Sequence, residues 1–277
     1  MCMSASAAHA YIRTALRLSG GKRQDMRSID RLTLCIPMYN EASIIAETVR
    51  TLTAALEKYR ESGAYGSWEL IVSDDGSTDG SADIVRSLGF DGVRVCGYEH
   101  NRGKGCAVRT AMLEASRGDC SRGHVIMFTD ADLAYGTEVI DRFARAFAQH
   151  DDTDIFIGSR NLSGDGYDSY TFIRRIASKA YIRLLCIVGG FKLSDSQCGC
   201  KAFRAPTAER IFSLAGTDGF AFDFELLLLA GRLGKRIGEI PVSVVNHRES
   251  KIKLSRDVIK MTHDLFKMKR RVARIKL

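Results

Sequence analysis

The chain has 277 residues, 45% hydrophobic and 27% charged, with three prolines, eight cysteines and a formal net charge of +8. That length and mixture support a sizeable globular core and exclude a collagen-like or low-complexity polymer. No apolar run of roughly 18 or more uncharged residues occurs, which excludes a hydropathic membrane-spanning helix.

Residues 1–30 read as a basic, weakly amphipathic leader, with Tyr11–Leu18 ended by Gly20-Gly21. His9, Arg13 and Arg17 interrupt Ala5–Leu18, so no secretory signal is expected. Without one, the cysteines read as reduced thiols of a cytosolic chain, and their spacing lacks the pairing of a zinc site. Leu32–Ile36 is a buried strand running into Pro37-Met-Tyr39-Asn-Glu41, and residues 41–60 repeat apolar side chains at helical spacing. Trp68–Val72 is a second strand, and it ends in acids: Ser73-Asp74-Asp75-Gly76. Gly92–Cys96 is a third, followed by His100-Asn-Arg-Gly-Lys104-Gly105, which opens a helix through Leu113.

His124–Phe128 is a fourth strand, and Thr129-Asp130-Ala131-Asp132 follows it directly. A helix from Thr137 to Gln149 and a fifth strand, Asp154–Gly158, lead into Ser159-Arg160. Phe172–Val188 and Asp257–Arg271 each mix basic and apolar residues, as helices lying against an anionic lipid surface do. Packing on the sheet is the alternative for both, and for 172–188 the two readings stand even. Between them, Phe222–Leu233 is a mostly apolar helix. The order implies a leader (1–30), one domain (31–245) and a basic amphipathic C-terminal segment (246–277).

Strands alternate with helices for about 130 residues, the pattern of an α/β fold with a mostly parallel sheet covered on both faces. Ligands of such sheets bind beyond the carboxyl ends of the strands. Tyr39-Asn-Glu41, Asp74-Asp75, Asp130-Ala-Asp132 and Ser159-Arg160 all fall there. In extended chain, side chains i and i+2 point the same way, so Asp130 and Asp132 can approach one hard cation, Mg²⁺ or Mn²⁺. The glycine fingerprints of dinucleotide oxidoreductases and P-loop NTPases are absent. A sheet that gathers acids around phosphates needs a divalent ion to neutralise them, which points to a nucleotide-diphosphate substrate.

The motifs Pro37-Met-Tyr-Asn-Glu41, Ser73-Asp-Asp-Gly-Ser77, Asn101-Arg-Gly-Lys-Gly105 and Thr129-Asp-Ala-Asp132 together resemble the family 2 inverting glycosyltransferases, which have the Rossmann-like GT-A fold. Gly158-Ser-Arg160, Asp195-Ser-Gln-Cys-Gly-Cys-Lys201, Phe222-Asp-Phe-Glu225 and His247-Arg-Glu-Ser-Lys251 extend the likeness to the branch that glycosylates dolichyl or polyprenyl phosphate. The resemblance implies that Pro37, Tyr39 and Glu41 line a nucleotide pocket and that Asp74 or Asp75 holds base or ribose. It implies that Asp130 and Asp132 carry the metal, with Lys104, Ala131 and Gln197 in the substrate site. Arg160, Arg174 or Arg175, and Arg248 with Lys251 are implied to grip donor diphosphate and lipid phosphate, which suits arginine's planar fork. The catalytic set so implied is Asp132, Asp195, Arg160 and Arg248, Asp195 either orienting sugar or acceptor or capping the turn at Gly199. Glu225 is implied to orient the sugar, or else to belong to an apolar core helix.

The Asp195–Lys201 stretch looks closer to the glucosyl than the mannosyl version, so the donor expected is UDP-glucose rather than GDP-mannose. Cys200 departs from the aromatic residue usual at that position. The chain also lacks the membrane helices of many relatives, which implies a peripheral protein on the cytosolic membrane face. The basic C-terminal segment alone would suit nucleic acid as well as an anionic membrane. No nucleic-acid-binding motif accompanies it, and nucleic acid is not an expected partner.

Overall fold

The structure, a computed structural model, describes residues 29–163, 182–245 and 256–276, with side chains of the last stretch described from Leu265 onward. Residues 1–28, most of the amphipathic stretch 172–188, and Arg174, Arg175, Arg248 and Lys251 lie outside the described residues. Among the described residues, seven strands make one sheet: β1 (Ile29–Met38), β2 (Tyr65–Asp75), β3 (Val93–Tyr98), β4 (His124–Phe128), β5 (Ile155–Ser159), β6 (Lys201–Arg204) and β7 (Ile237–Pro241). Their spatial order is β3-β2-β1-β4-β6-β5-β7. Every pairing is parallel except those of β6, which runs antiparallel to both β4 and β5.

Alternation along the strands sends successive side chains to opposite faces. Leu34, Ile36, Val125 and Met127 join one core with α1 (Ile45–Glu61), α2 (Ser81–Ser87) and α4 (Glu138–Gln149). Cys35, Ile126, Phe128 and Phe203 join a second core with α3 (Lys104–Ser116), α5 (Ala205–Leu214), α6 (Phe222–Arg232) and α7 (Arg256–Arg274). Residues 182–189 are also helical. Two helices follow their apolar spacing closely: α1 buries Ile45, Val49, Leu52 and Leu56, and α4 buries Val139, Ile140, Phe143 and Phe147. Pro206 lies in the first turn of α5, where its missing N–H costs nothing.

The reversed strand is what shapes the site. Lys201 opens β6 opposite Phe128 at the end of β4 and Ile157 near the end of β5. The residues just before β6 therefore reach the same edge where β4 and β5 deliver their last residues. Two charged residues sit inside this short strand: Lys201 is 0% exposed and Arg204 3%. Lys201 Nζ donates to Cys198 O and Asp223 Oδ1, both at 2.6 Å. Arg204 donates to Arg122 O at 3.0 Å and Phe147 O at 2.8 Å.

The C-terminal helix is partly core. Leu265, Met268 and Val272 of α7 are buried in the second cluster, while Phe266 faces out. Arg232 of α6 ties down its end by donating to Ala273 O and Ile275 O, each at 2.7 Å. Among the described residues no helix is long and apolar enough to cross a membrane, and all seven described cysteines are free thiols.

Candidate active site

The loops after β1, β2, β3, β4 and β5 and the approach to β6 meet along the carboxyl edge of the sheet. The loops after β1 and β2 are laced together. Asn40 N donates to Ser77 Oγ, Glu41 N to Ser81 Oγ, Ala42 N to Asp79 Oδ2 and Thr78 N to Asn40 Oδ1, each at 2.9 Å. The Ser81 hydroxyl and backbone amides around Asp79 hold its carboxyl below the ordinary range. Asn40 turns the chain at φ +52°, a conformation Asn tolerates better than most residues. Tyr39 is left 46% exposed at the edge, with Pro37 half-buried beside it.

Asp74 and Asp75, alternatives in the sequence, separate clearly. Asp75 is buried and its carboxylate is taken up by one loop. It accepts from Tyr98 Oη at 2.6 Å, Asn101 Nδ2 at 2.9 Å, Arg102 N at 2.8 Å and Gly103 N at 2.9 Å. Asp75 is therefore a brace for residues 101–103. Asp74 is half-exposed and accepts from Ser77 N at 3.1 Å, which leaves it facing the edge. Gly76 between the loops lies at φ +72°, and a Cβ there would come within 2.7 Å of Asn101 N. Only glycine fits that approach.

The Asp130-Ala-Asp132 turn is fixed from three sides. Thr48 Oγ1 on α1 donates to Ala131 O at 2.7 Å, Asp132 Oδ1 accepts from Ala134 N at 3.1 Å, and Val245 N donates to Ala134 O at 2.8 Å. Leu133 is in the left-handed region at φ +52°, an unfavourable backbone for a residue with a Cβ. Asp130 and Asp132 are both half-exposed. Lys104 at the start of α3 forms an ion pair with Asp130 Oδ1. Burial opposes the Lys104 charge, but Asp130, then Asp223 and Asp132, more than offset it and raise its pKa. On the other side, a Cβ on Gly199 would lie 2.5 Å from Asp130 Oδ2, so glycine there gives Asp130 its room.

Among the described residues no group of three or more His, Cys, Asp or Glu side chains is arranged to hold a metal. Asp130 and Asp132 do fit a Mg²⁺ or Mn²⁺ ion that takes its remaining ligands from water and phosphate. The donors are hard oxygens, and Asp130 already draws in a cation, the Lys104 ammonium.

Arg160, at the end of β5, and Asp195, in the approach to β6, form a forked pair, with Nε to Oδ2 at 2.7 Å and Nη2 to Oδ1 at 3.1 Å. Gln197 N adds a bond to Asp195 Oδ1 at 3.1 Å, while the Gln197 side chain stays half-buried at the cleft. Burial would raise the Asp195 carboxyl, but Arg160 beside it holds it below the ordinary range. Asp195 is 0% exposed. Its carboxylate is taken up by Arg160 and by Gln197 N, the latter bond being that of a loop Asp capping its own turn. Behind it, Glu239 Oε1 accepts from Ser194 N at 2.8 Å and Ser194 Oγ at 2.6 Å.

Glu225 sits as the core-helix alternative has it. It is buried, accepts from Thr217 N at 2.8 Å and Gly216 N at 3.1 Å, and pairs with Arg271 of α7. It joins the loop before α6 to the C-terminal helix. The sequence reading gave no role to Asp223, whose buried carboxylate sits between Lys201 and Lys104. Burial raises the Asp223 carboxyl despite both lysines. The available signal was the charge itself: an Asp in an apolar helix needs a cation.

Residues 33–212 match the family described as glycosyl transferase family 2. The chain belongs to that family, and its sheet and helices are the GT-A fold. Its sequence relatives include the dolichyl-phosphate beta-glucosyltransferase of Saccharomyces cerevisiae, 33% identical over 84% of this chain and 72% of that protein. The Drosophila melanogaster enzyme of the same name is 32% identical, over 88% of this chain and 75% of its own length. Among solved structures, glucosyl-3-phosphoglycerate synthase from Mycobacterium tuberculosis, in complex with Mn²⁺, UDP and phosphoglyceric acid, superposes with a TM-score of 0.63. It has 18% identity over 90% of this chain and 80% of that one.

Proposed function

We propose that the protein transfers glucose from UDP-glucose to dolichyl phosphate or a related polyprenyl phosphate, with inversion, to give a β-linked lipid-phosphate sugar. The observation that carries this reading is the convergence on one sheet edge of Tyr39, Asp74, the Asp130-Ala-Asp132 turn and the Arg160–Asp195 pair. The acceptor and the sugar are inferred from the relatives named above.

In this reading Pro37, Tyr39, Glu41 and Asp74 receive the nucleoside, and Asp130 and Asp132 hold Mg²⁺ or Mn²⁺ against the donor diphosphate. A divalent ion there supplies Lewis-acid stabilisation of the departing diphosphate. Arg160, kept in place by Asp195, offers a fixed cation at the phosphate end of the cleft. Arg174, Arg175, Arg248 and Lys251 supply further phosphate contacts. An acceptor phosphate is already anionic at neutral pH, so no strong general base is required, and none is assigned. The protein works at the cytosolic face of a membrane as a peripheral enzyme, its exposed basic residues meeting anionic lipid.

The direct test is incubation with radiolabelled nucleotide-sugars, Mg²⁺ and polyprenyl phosphate. Chloroform-soluble label from UDP-glucose, absent without lipid, is expected. Label from GDP-mannose alone would replace the sugar in this reading, and no lipid-soluble label with any donor would overturn it.

A further inference from the structure

Lys104 stands where the metal reading places a cation. Its ammonium is ion-paired with Asp130 Oδ1, and Asp132 and Asp223 lie near enough to act on its charge. The second lysine of the cluster differs in kind. Lys201 is fully buried and pinned by Cys198 O and Asp223 at 2.6 Å each. Lys104 keeps 26% of its side chain exposed and carries its charge on a flexible four-carbon stem. The other oxygen of Asp130 faces Gly199, where a Cβ would lie 2.5 Å away.

We propose that Lys104 is a resident cation that couples metal binding to nucleotide binding, an inference that rests on Asp130 and Asp132 being the metal ligands. The charges of Asp130, Asp132, Asp223, Lys104 and Lys201 leave this cluster one unit negative. A divalent ion arriving alone must share Asp130 with an ammonium already in contact, and like-charge repulsion weakens its binding. When a nucleoside diphosphate arrives with the ion, the displaced Lys104 gains a phosphate partner, so the repulsion becomes an attraction. Metal and diphosphate then strengthen each other's binding by the same factor, as linkage requires. The ammonium keeps Asp130 neutralised in the cleft until the pair binds.

The test is Mn²⁺ binding by electron paramagnetic resonance of the free ion, with and without UDP, for the wild-type chain, Lys104→Met and Lys104→Gln. Both variants keep most of the stem and remove the charge, and thermal melting confirms that each is folded. The wild type is expected to bind Mn²⁺ weakly alone and much more tightly with UDP. The variants are expected to bind Mn²⁺ alone about tenfold more tightly, and to lose a similar factor of UDP enhancement, within the usual range of coupling between sites. Folded variants with unchanged or weaker Mn²⁺ affinity, or with full UDP enhancement, overturn the role of Lys104. A wild type that takes up no Mn²⁺ even with saturating UDP overturns the metal assignment itself, which separates the two failures.

Discussion

Arg160 and Asp195 meet in a two-pronged ion pair, Nε to Oδ2 at 2.7 Å and Nη2 to Oδ1 at 3.1 Å, joining the end of β5 to the approach of β6. The two residues are 35 apart in sequence, and it is the reversal of β6 that brings them together. Removing one partner of such a buried pair strands the other, at a cost of about 3–5 kcal/mol. Asp195→Ala should therefore destabilise the fold by that order in urea unfolding. Asp195→Asn keeps acceptor capacity and should fold, but releases the arginine. Its transfer rate should drop with a higher KM for the nucleotide-sugar. Normal kinetics in a folded Asp195→Asn protein would remove the pair from the site.

Asp75 carries a different prediction, since its carboxylate organises the loop that precedes Lys104. Asp75→Asn replaces one acceptor oxygen by an amide donor facing amides that also donate. The buried mismatch should cost about 1–3 kcal/mol. Donor binding should weaken too, because residues 101–103 set the start of α3. Unchanged urea stability together with unchanged UDP affinity would contradict the bracing role.

Much of this was legible in the sequence. The alternation of strands and helices and the acids at strand ends placed the cleft, because a parallel sheet leaves its carboxyl edge open to ligands. What was not legible came from burial of charge. β6 reads Lys201-Ala-Phe-Arg204, flanked by charges that suggest a surface turn, yet both ends are buried against carbonyls and Asp223. Its antiparallel direction has no local signal at all. Asp75 and Asp195 were legible as chemistry but not as architecture. Whether a carboxylate faces a ligand or a loop depends on partners such as Tyr98 and Arg160, distant along the chain. Glu225 and α7 show the same limit, since an amphipathic pattern does not say what covers its apolar side.

His124 gives a pH prediction. Its Nδ1 lies 2.6 Å from Asp119 O and its Nε2 2.8 Å from Thr33 Oγ1. A carbonyl only accepts, so Nδ1 carries the proton and Nε2 accepts from the Thr33 hydroxyl. Burial pushes the His124 pKa below its ordinary value, with Arg31 adding to the effect and Asp119 opposing it. The unfolded chain, with a histidine pKa of about 6.5, then binds more protons than the folded one in the window below that value. His124 therefore contributes stability at neutral pH that is lost as pH falls below about 6.5, at no more than about 1.4 kcal/mol per pH unit. Unfolding free energies measured from about pH 7.5 to 5 should fall towards acid, and less steeply in His124→Gln. Identical slopes in the two proteins would exclude the assignment.

Gly199 tests how Asp130 is seated. A Cβ there would lie 2.5 Å from Asp130 Oδ2 and 3.2 Å from its Cγ, and the end of a side chain can yield where backbone cannot. Gly199→Ala should thus leave the fold within about 1 kcal/mol of wild type, as for a mutation relieved by side-chain movement, while displacing the carboxylate. Mn²⁺ affinity measured with UDP should fall. Intact Mn²⁺ affinity in the variant would mean that Asp130 is not held by this contact.

Asp132 is the most direct test of the metal assignment. It is half-exposed, and its Oδ1 accepts from Ala134 N at 3.1 Å, which helps close the turn in which Leu133 holds φ +52°. Asp132→Ala removes both the ligand and this bond, so a loss of activity alone would not separate the two roles. Asp132→Asn does, because an amide oxygen can still accept from Ala134 N while the negative charge is gone. The pair of variants should fold normally by circular dichroism and melting. Both should lose transfer by at least about 10²-fold, the scale expected when charge stabilisation of a leaving group is lost. Both should also lose UDP-dependent Mn²⁺ binding. Asn matching Ala would place the defect in the charge, whereas Asn matching wild type would reduce Asp132 to a turn residue. Near-normal metal-dependent transfer in Asp132→Ala would refute the placement of the ion, leaving Asp130 and Lys104 as a structural ion pair.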